Sequence, residues 1–129
     1  MKKRKNQLEE LIALCAKLRS QDGCMWDREQ THESLISCLE EEAGEVADAI
    51  RNKDTENLKE ELGDLLYQVV FHSQLASERG DFDLRDVIEG ICEKLIRRHP
   101  HVFSDTKVNS IEDILKNWSR IKKEEKKKT

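Results

Sequence analysis

The sequence predicts an all-α protein, a bundle of four or five helices. Three observations favour this fold class. Apolar residues recur at spacings of three and four, the alternation typical of half-buried strands is nearly absent, and only one proline and five glycines interrupt 129 residues. A chain of this length fits one domain, so we expect residues 1–129 to form a single domain.

A polar segment separates the first two predicted helices. Residues 20–31, which include Gly23, break the helical pattern and predict an irregular connection. The apolar face of the first helix consists of Leu8, Leu11, Ile12, Cys15 and Leu18. The second helix is indicated by apolar residues at spacings of one, three or four, namely Leu35, Ile36, Leu39, Ala43, Val46 and Ile50.

A turn at residues 52–55 leads into the third predicted helix, which Asp54 or Thr55 can cap. This helix ends at Gly80, a residue suited to the left-handed backbone after a helix. The fourth predicted helix begins after Asp83. It stops before Pro100, because the residue preceding a proline avoids the helical conformation.

The last predicted helix follows a loop at residues 99–109, and Ser110 can cap it. Its apolar stripe consists of Ile111, Ile114, Leu115, Trp118 and Ile121. Residues 122–129 form a charged tail that we expect to fray.

Composition excludes several classes of protein. The chain carries 23 basic and 27 acidic residues, a net charge of −4, so we expect no nucleic-acid binding. No run of 18 apolar residues indicates a membrane helix, and the basic N-terminus leads into polar residues rather than a signal sequence. We therefore expect a cytoplasmic protein, without membrane contact, whose four cysteines are reduced. Neither the P-loop motif nor the dinucleotide-binding glycine motif occurs.

Two pairs of carboxylates stand at helical spacing on the second and third predicted helices. Glu42 and Glu45 share a face of one helix, and Glu61 and Asp64 share a face of the next. Lys53 is the midpoint of the turn, with Glu45 eight residues before it and Glu61 eight residues after it. Antiparallel helices would therefore place Glu45 level with Glu61, and Glu42 level with Asp64.

Such a quartet needs a counter-charge, because each like-charge pair at 4 Å costs about 4 kcal/mol at an effective dielectric constant near 20. Oxygen ligands alone favour Mg²⁺, with Mn²⁺ as a substitute and Ca²⁺ as a further option. Gly44 and Gly63 lie inside these helices beside acidic residues, which suggests close approach of backbone or ligand. The alternative is a solvated acidic face with lysine partners.

Five segments resemble the MazG-type all-α nucleoside triphosphate pyrophosphohydrolases. The acidic residues match the family pattern E-E-x-x-E followed by E-x-x-D, with Glu41 as the first glutamate. Residues 22–27 (DGCMWD) are similar to its D-G-C-P-W-D segment and residues 60–66 to its third-helix motif. Residues 94–103 (KLIRRHPHVF) and Asn117-Trp118 with Lys122 resemble two further family segments.

The resemblance implies Mg²⁺-dependent hydrolysis of nucleoside or deoxynucleoside triphosphates between the α and β phosphates, with a possible role in cleaning the nucleotide pool. It implies metal ligands at Glu42, Glu45, Glu61 and Asp64, and a homodimer or homotetramer. It also implicates Lys94, Arg98, Trp118 and Lys122 in handling the nucleotide.

The chemistry of these residue types agrees with those roles. Glu41 is a candidate to orient or deprotonate the attacking water, although it could equally orient a metal ligand, and with Glu42 it forms the catalytic pair. Arg98 lies one turn from Lys94 on the fourth helix, where the two can grip phosphate. Trp26, in a polar loop, is a candidate to stack on a base, and so is Trp118 if it is not a core residue.

Two departures from the family pattern limit what can be carried over. Met25 replaces the usual proline before Trp26, which would make that loop less rigid, and Gly44 stands where an aromatic residue is common. The alternatives are a non-catalytic helical interaction module and a related pyrophosphohydrolase acting on dUTP or phosphoribosyl-ATP.

Overall fold

The computed structural model describes residues 6–128, which contain seven α-helices and one 3₁₀ turn. Contacts between residues divide the chain into two compact units, Met1–Leu84 and Arg85–Thr129. The helices are α1 (Gln7–Arg19), α2 (Met25–Glu29), α3 (Ile36–Arg51), α4 (Thr55–Glu78), α5 (Leu84–Arg98), α6 (Pro100–Phe103) and α7 (Ile111–Lys127), and the 3₁₀ turn is Glu33–Leu35.

The all-α prediction is confirmed, but four or five helices is too low a number. The five long helices lie where the sequence predicts them, and the two additional ones lie in segments predicted to be irregular. Both α2 and α6 are shorter than two turns, so neither carries the apolar repeat that reveals a helix. Helix α5 ends at Arg98, before Pro100, as predicted. Pro100 itself begins α6, because proline is favourable at the first helical position.

The structure shows capping residues at three of the predicted helix ends. The Asp54 side chain accepts a hydrogen bond from the backbone N–H of Asn57 at 3.1 Å, and Ser110 Oγ accepts one from the N–H of Asp113 at 3.2 Å. Gly80 follows α4 with a φ of 79°, in the left-handed region predicted for it. Helix α7 continues past Ile121 into the charged residues as far as Lys127.

In the first unit, α4 packs against both α3 and α1. Its buried residues begin at Val70, in the second half of the helix. The first half, which carries Glu61 and Asp64, contributes no residue to the buried core among those described. The buried apolar residues of this unit are Cys15, Leu35, Ala49, Val70, Phe71, Leu75, Ala76 and Leu84. All four cysteines of the chain are free thiols, as predicted.

Arg19, the last residue of α1, holds the following segment in place. Its Nη1 atom donates hydrogen bonds to the carbonyl oxygens of Asp27, at 2.6 Å, and Gln30, at 3.1 Å. These carbonyls lie at the C-terminal end of α2, where a positive charge also complements the helix dipole. The guanidinium lies 5.7 Å from the ring centroid of Phe71 on α4. Arg19 therefore fixes the position of α2 and of Trp26, which α2 carries.

In the second unit, side chains of α5 and α7 meet in ion pairs of Arg97 and Arg98 with Glu125. The ring of Trp118 on α7 contacts His99 edge-on, with centroids 5.5 Å apart. Ile121 is buried. None of the helices in the described part of the chain is both long and apolar enough to span a membrane.

Candidate metal and nucleotide site

Three carboxylates from α3 and α4 converge in the first unit. Glu42, Glu45 and Glu61 each place a carboxylate oxygen within 4.8 Å of the other two, and all three residues are half-buried. Among the described residues, no other group of three or more histidine, cysteine, aspartate or glutamate side chains lies close enough to share one cation. The short turn between Arg51 and Thr55 sets the register of the two helices, so that Glu45 lies near Glu61 as the spacing predicts.

The electrostatics of this trio are unfavourable without a cation. A hydrogen bond from the protonated Glu61 carboxyl to Glu45, followed by burial and the charge of Glu45, raises the pKa of Glu61 to about 7. Burial, followed by the charges of Glu45 and Asp64, raises the pKa of Glu42. The Oε2 atoms of Glu42 and Glu61 are buried without a hydrogen-bond partner. Such oxygens fit a divalent cation, which needs oxygen ligands and supplies the missing charge.

The other two predicted acidic residues lie at the edge of the trio. Asp64 is exposed and is outside the group of oxygens within 4.8 Å, although it is close enough for its charge to raise the pKa of Glu42. Glu41, the candidate for positioning water, is exposed beside Glu42 on α3. The structure thus brings together three of the four predicted ligands and leaves the fourth adjacent.

The two helix glycines beside the acidic residues have open space around them. A Cβ atom built on Gly44 or on Gly63 would meet no atom of the described chain within 4 Å, apart from its chain neighbours and the nearby backbone of its own helix. No backbone of the described chain approaches these glycines closely. The other predicted reason, approach of a ligand, stays a prediction.

The predicted nucleotide-binding residues of the second unit differ in how available they are. Lys94 and Lys122 are exposed, whereas Arg98 and Trp118 are half-buried. Arg98 Nη2 donates to Glu125 Oε1 at 2.9 Å, while Arg98 Nε is buried without a partner. Trp118 Nε1 is also buried without a partner, and its ring packs on His99.

The sequence predicted that Trp26 lies in a loop, and this prediction is wrong. Trp26 is the second residue of α2 and 56% exposed, and its carbonyl oxygen accepts a hydrogen bond from Gln30 Nε2 at 2.8 Å. Met25 is the first residue of this helix, so the segment is helical with methionine at the position where the family pattern has proline.

Sequence reasoning missed two groups of polar residues. His32 Nδ1 lies 2.8 Å from His72 Nδ1, 40 residues away, and burial followed by the charge of His32 lowers the pKa of His72. No local pattern indicates a pair at that separation. Glu125 was missed as part of a frayed tail, yet Trp118, Lys122 and Glu125 recur at i, i+4 and i+7, a spacing that places them on one helical face.

The fold and the acidic trio define an all-helical protein with a candidate site for a divalent cation between two antiparallel helices. The family model of the MazG nucleotide pyrophosphohydrolase domain matches residues 30–103. The chain therefore belongs to this family. The matched residues include the acidic trio, Lys94 and Arg98, whereas Trp26, Trp118 and Lys122 lie outside them.

Individual relatives agree with this assignment. The chain is 55% identical to the nucleoside triphosphate pyrophosphohydrolase/pyrophosphatase MazG of Thermotoga maritima over 92% of this chain and 45% of that protein. It is 45% identical to a nucleoside triphosphate pyrophosphohydrolase of Escherichia coli (strain K12) over 94% of this chain and 46% of that protein. The chain thus spans less than half the length of these two relatives.

A solved structure matches over most of both chains. The crystal structure of a mazG-related protein from Thermotoga maritima superposes with a TM-score of 0.73 at 34% identity. The match covers 89% of this chain and 98% of that one, so the helical fold is shared almost throughout.

Proposed function

We propose that the protein is a Mg²⁺-dependent pyrophosphohydrolase that cleaves nucleoside or deoxynucleoside triphosphates between the α and β phosphates, releasing the monophosphate and pyrophosphate. The observation that carries this proposal is the convergence of Glu42, Glu45 and Glu61 within 4.8 Å. The relatives named as nucleoside triphosphate pyrophosphohydrolases support the same activity.

The ligand set suits Mg²⁺, with Mn²⁺ as a substitute, because every donor is a carboxylate oxygen. Glu42, Glu45 and Glu61 would hold the ion, and Asp64, whose charge raises the pKa of Glu42, would be the fourth ligand. When bound, the ion would neutralise charge on phosphate oxygens and make a nearby water more acidic. Glu41 is exposed beside this group, where its carboxylate can orient the attacking water or accept its proton.

In this proposal, the basic residues of the second unit bind the polyphosphate. Lys94 and Arg98 lie one helical turn apart on α5, and Lys122 lies on α7. Trp118 packs edge-on against His99 and its Nε1–H is buried without a partner, so this N–H is the group through which it would contribute. Trp26 offers a more exposed ring, which makes it the better platform for stacking on a base.

The decisive test is a substrate panel with product analysis. Each nucleoside and deoxynucleoside triphosphate, together with dUTP and phosphoribosyl-ATP, would be incubated with the protein and Mg²⁺. Monophosphate and pyrophosphate support the proposal. Diphosphate and orthophosphate, or no turnover of any compound, contradict it. If no compound is turned over, calorimetry with Mg²⁺ alone distinguishes an enzyme that lacks its substrate from a non-catalytic helical module, because such a module would bind no Mg²⁺ at the trio.

We also propose that a second copy of the chain covers an apolar face of α4. Leu62, Leu66 and Val69 recur at i, i+4 and i+7 and are 48%, 47% and 41% exposed. A contiguous exposed apolar face of this kind marks an interaction surface. Light scattering should give a dimer or tetramer that Leu66→Lys dissociates. A wild-type monomer with full activity contradicts this part of the proposal.

A further inference from the structure

Glu125 places one carboxylate between two arginines. Its Oε2 atom accepts a hydrogen bond from Arg97 Nε at 2.5 Å, and its Oε1 atom accepts one from Arg98 Nη2 at 2.9 Å. The Glu125 side chain is 21% exposed, and that of Arg98 is 26% exposed. These contacts join α7 to the end of α5 within the second unit.

More positive than negative charge surrounds this carboxylate. A cavity of 330 Å³ is lined by Arg98, Lys122, Glu125 and Lys126. Hydrogen bonds from Arg98 and then Arg97 lower the pKa of Glu125 to about 2, so it is ionised at neutral pH. The lining of this cavity therefore carries one negative charge, on Glu125, against three positive charges, on Arg98, Lys122 and Lys126. The cavity keeps a net positive charge that attracts polyanions.

A carboxylate and a phosphate compete for the same donors. Both offer two oxygens to a guanidinium in the same planar arrangement. Arg98 is one of the residues that the proposed function assigns to the phosphates, yet Glu125 already engages its Nη2 atom. Arg97 is 48% exposed, and an ion pair with such an exposed partner contributes little to folding, so its exchange costs the fold little.

We propose that Glu125 is an internal competitor of the substrate, an anion that occupies Arg97 and Arg98 until a polyphosphate displaces it. This inference rests on the proposed function for the assignment of Arg98. A ligand that only replaces Glu125 on the arginines gains little binding free energy, because it leaves the carboxylate unpaired. A polyphosphate long enough to contact Lys122 as well gains more binding free energy. Glu125 thereby lowers the affinity for orthophosphate and selects for the triphosphate chain.

Direct binding of inorganic tripolyphosphate tests this proposal without requiring turnover. Calorimetry on the full chain would compare wild type with Glu125→Gln, which keeps the side-chain shape and removes the charge. We expect the variant to bind tripolyphosphate about tenfold more tightly, and to bind orthophosphate measurably where wild type does not. Glu124→Gln is the matched control: Glu124 is the neighbouring residue and pairs with Arg120 instead, so its affinity should equal that of wild type.

A second measurement uses the wild-type protein alone. The ¹⁵N and ¹H signals of Arg97 Nε–H and of the Arg98 Nη2 group should shift on addition of tripolyphosphate, as Glu125 leaves. Unchanged or weaker binding by Glu125→Gln, equal tightening by Glu124→Gln, or no binding to any of the three proteins overturns the proposal. The substrate panel fails or succeeds separately, so an inactive protein that still shows the predicted change in affinity contradicts only the proposed function.

Discussion

Arg19 and Glu78 form a bidentate ion pair that joins the end of α1 to the end of α4. Arg19 Nε lies 3.1 Å from Glu78 Oε2, and Arg19 Nη2 lies 2.5 Å from Glu78 Oε1. The same guanidinium also binds two carbonyl oxygens at the end of α2. Since the Arg19 side chain is only 11% exposed, its removal leaves several polar groups without partners.

Arg19→Ala should therefore be strongly destabilising. We expect a loss of about 2 kcal/mol in the free energy of unfolding, measured by urea denaturation, because the carbonyl oxygens of Asp27 and Gln30 lose their donor, whereas Glu78 is 37% exposed and can be solvated. Arg51→Ala is the control, since the Arg51–Asp48 pair is exposed on both sides and should contribute less than about 0.5 kcal/mol. Equal effects of the two substitutions would show that Arg19 does not fix α2.

The same pair predicts how stability depends on pH. The hydrogen bond from Arg19 lowers the pKa of Glu78 below its usual range. The unfolded chain therefore takes up the proton at higher pH than the folded chain. The stabilisation is present above the unfolded pKa, about 4.3, and is lost as pH falls through the lower folded pKa. Unfolding of wild type and Glu78→Gln from pH 7 to pH 3 should give curves that converge at the acid end. A constant difference would contradict the assignment.

Replacing a member of the acidic trio should raise stability and reduce activity. In the absence of Mg²⁺ and at pH 8, above the Glu61 pKa of about 7, Glu61→Gln relieves repulsion among three close carboxylates, so its melting temperature in EDTA should exceed that of wild type. Added Mg²⁺ should then stabilise the variant less than wild type, and kcat should fall by about 100-fold or more. Glu60→Gln, an exposed neighbour on α4, serves as the control and should preserve both the Mg²⁺ effect and the activity.

The sequence was informative wherever a contact depends on spacing along one helix or across one short turn. The proximity of Glu45 and Glu61 follows from helical periodicity and the turn before Asp54. The pairs His32–His72 and Arg19–Glu78 are separated by 40 and 59 residues, and they depend on how helices pack. Helix α2 was missed because it has five residues and is held by Arg19 rather than by its own apolar repeat.

Replacing Gly90 and Gly23 by alanine should change the free energy of unfolding in opposite directions. A Cβ atom at Gly90, inside α5, meets no atom of the described chain within 4 Å, so Gly90→Ala should stabilise by about 0.5–1 kcal/mol through helix propensity. At Gly23 the same atom would lie 2.3 Å from the carbonyl oxygens of Lys17 and Leu18. Gly23→Ala should therefore destabilise by about 2 kcal/mol. Chemical denaturation of both variants checks the contrast, which a shared sign would contradict.

Placing proline at position 25, as in the family pattern, should stabilise α2. Met25 is the first residue of that helix, where proline is favourable, and Cys24 before it has φ −96° and ψ 127°, a conformation that a following proline accepts. The Met25 side chain is 72% exposed, so little packing is lost. Met25→Pro should raise the free energy of unfolding by about 0.5–1 kcal/mol by restricting the unfolded chain. Met25→Ala lacks that restriction and should have no comparable effect, and a destabilised proline variant would show that Met25 itself supports the helix.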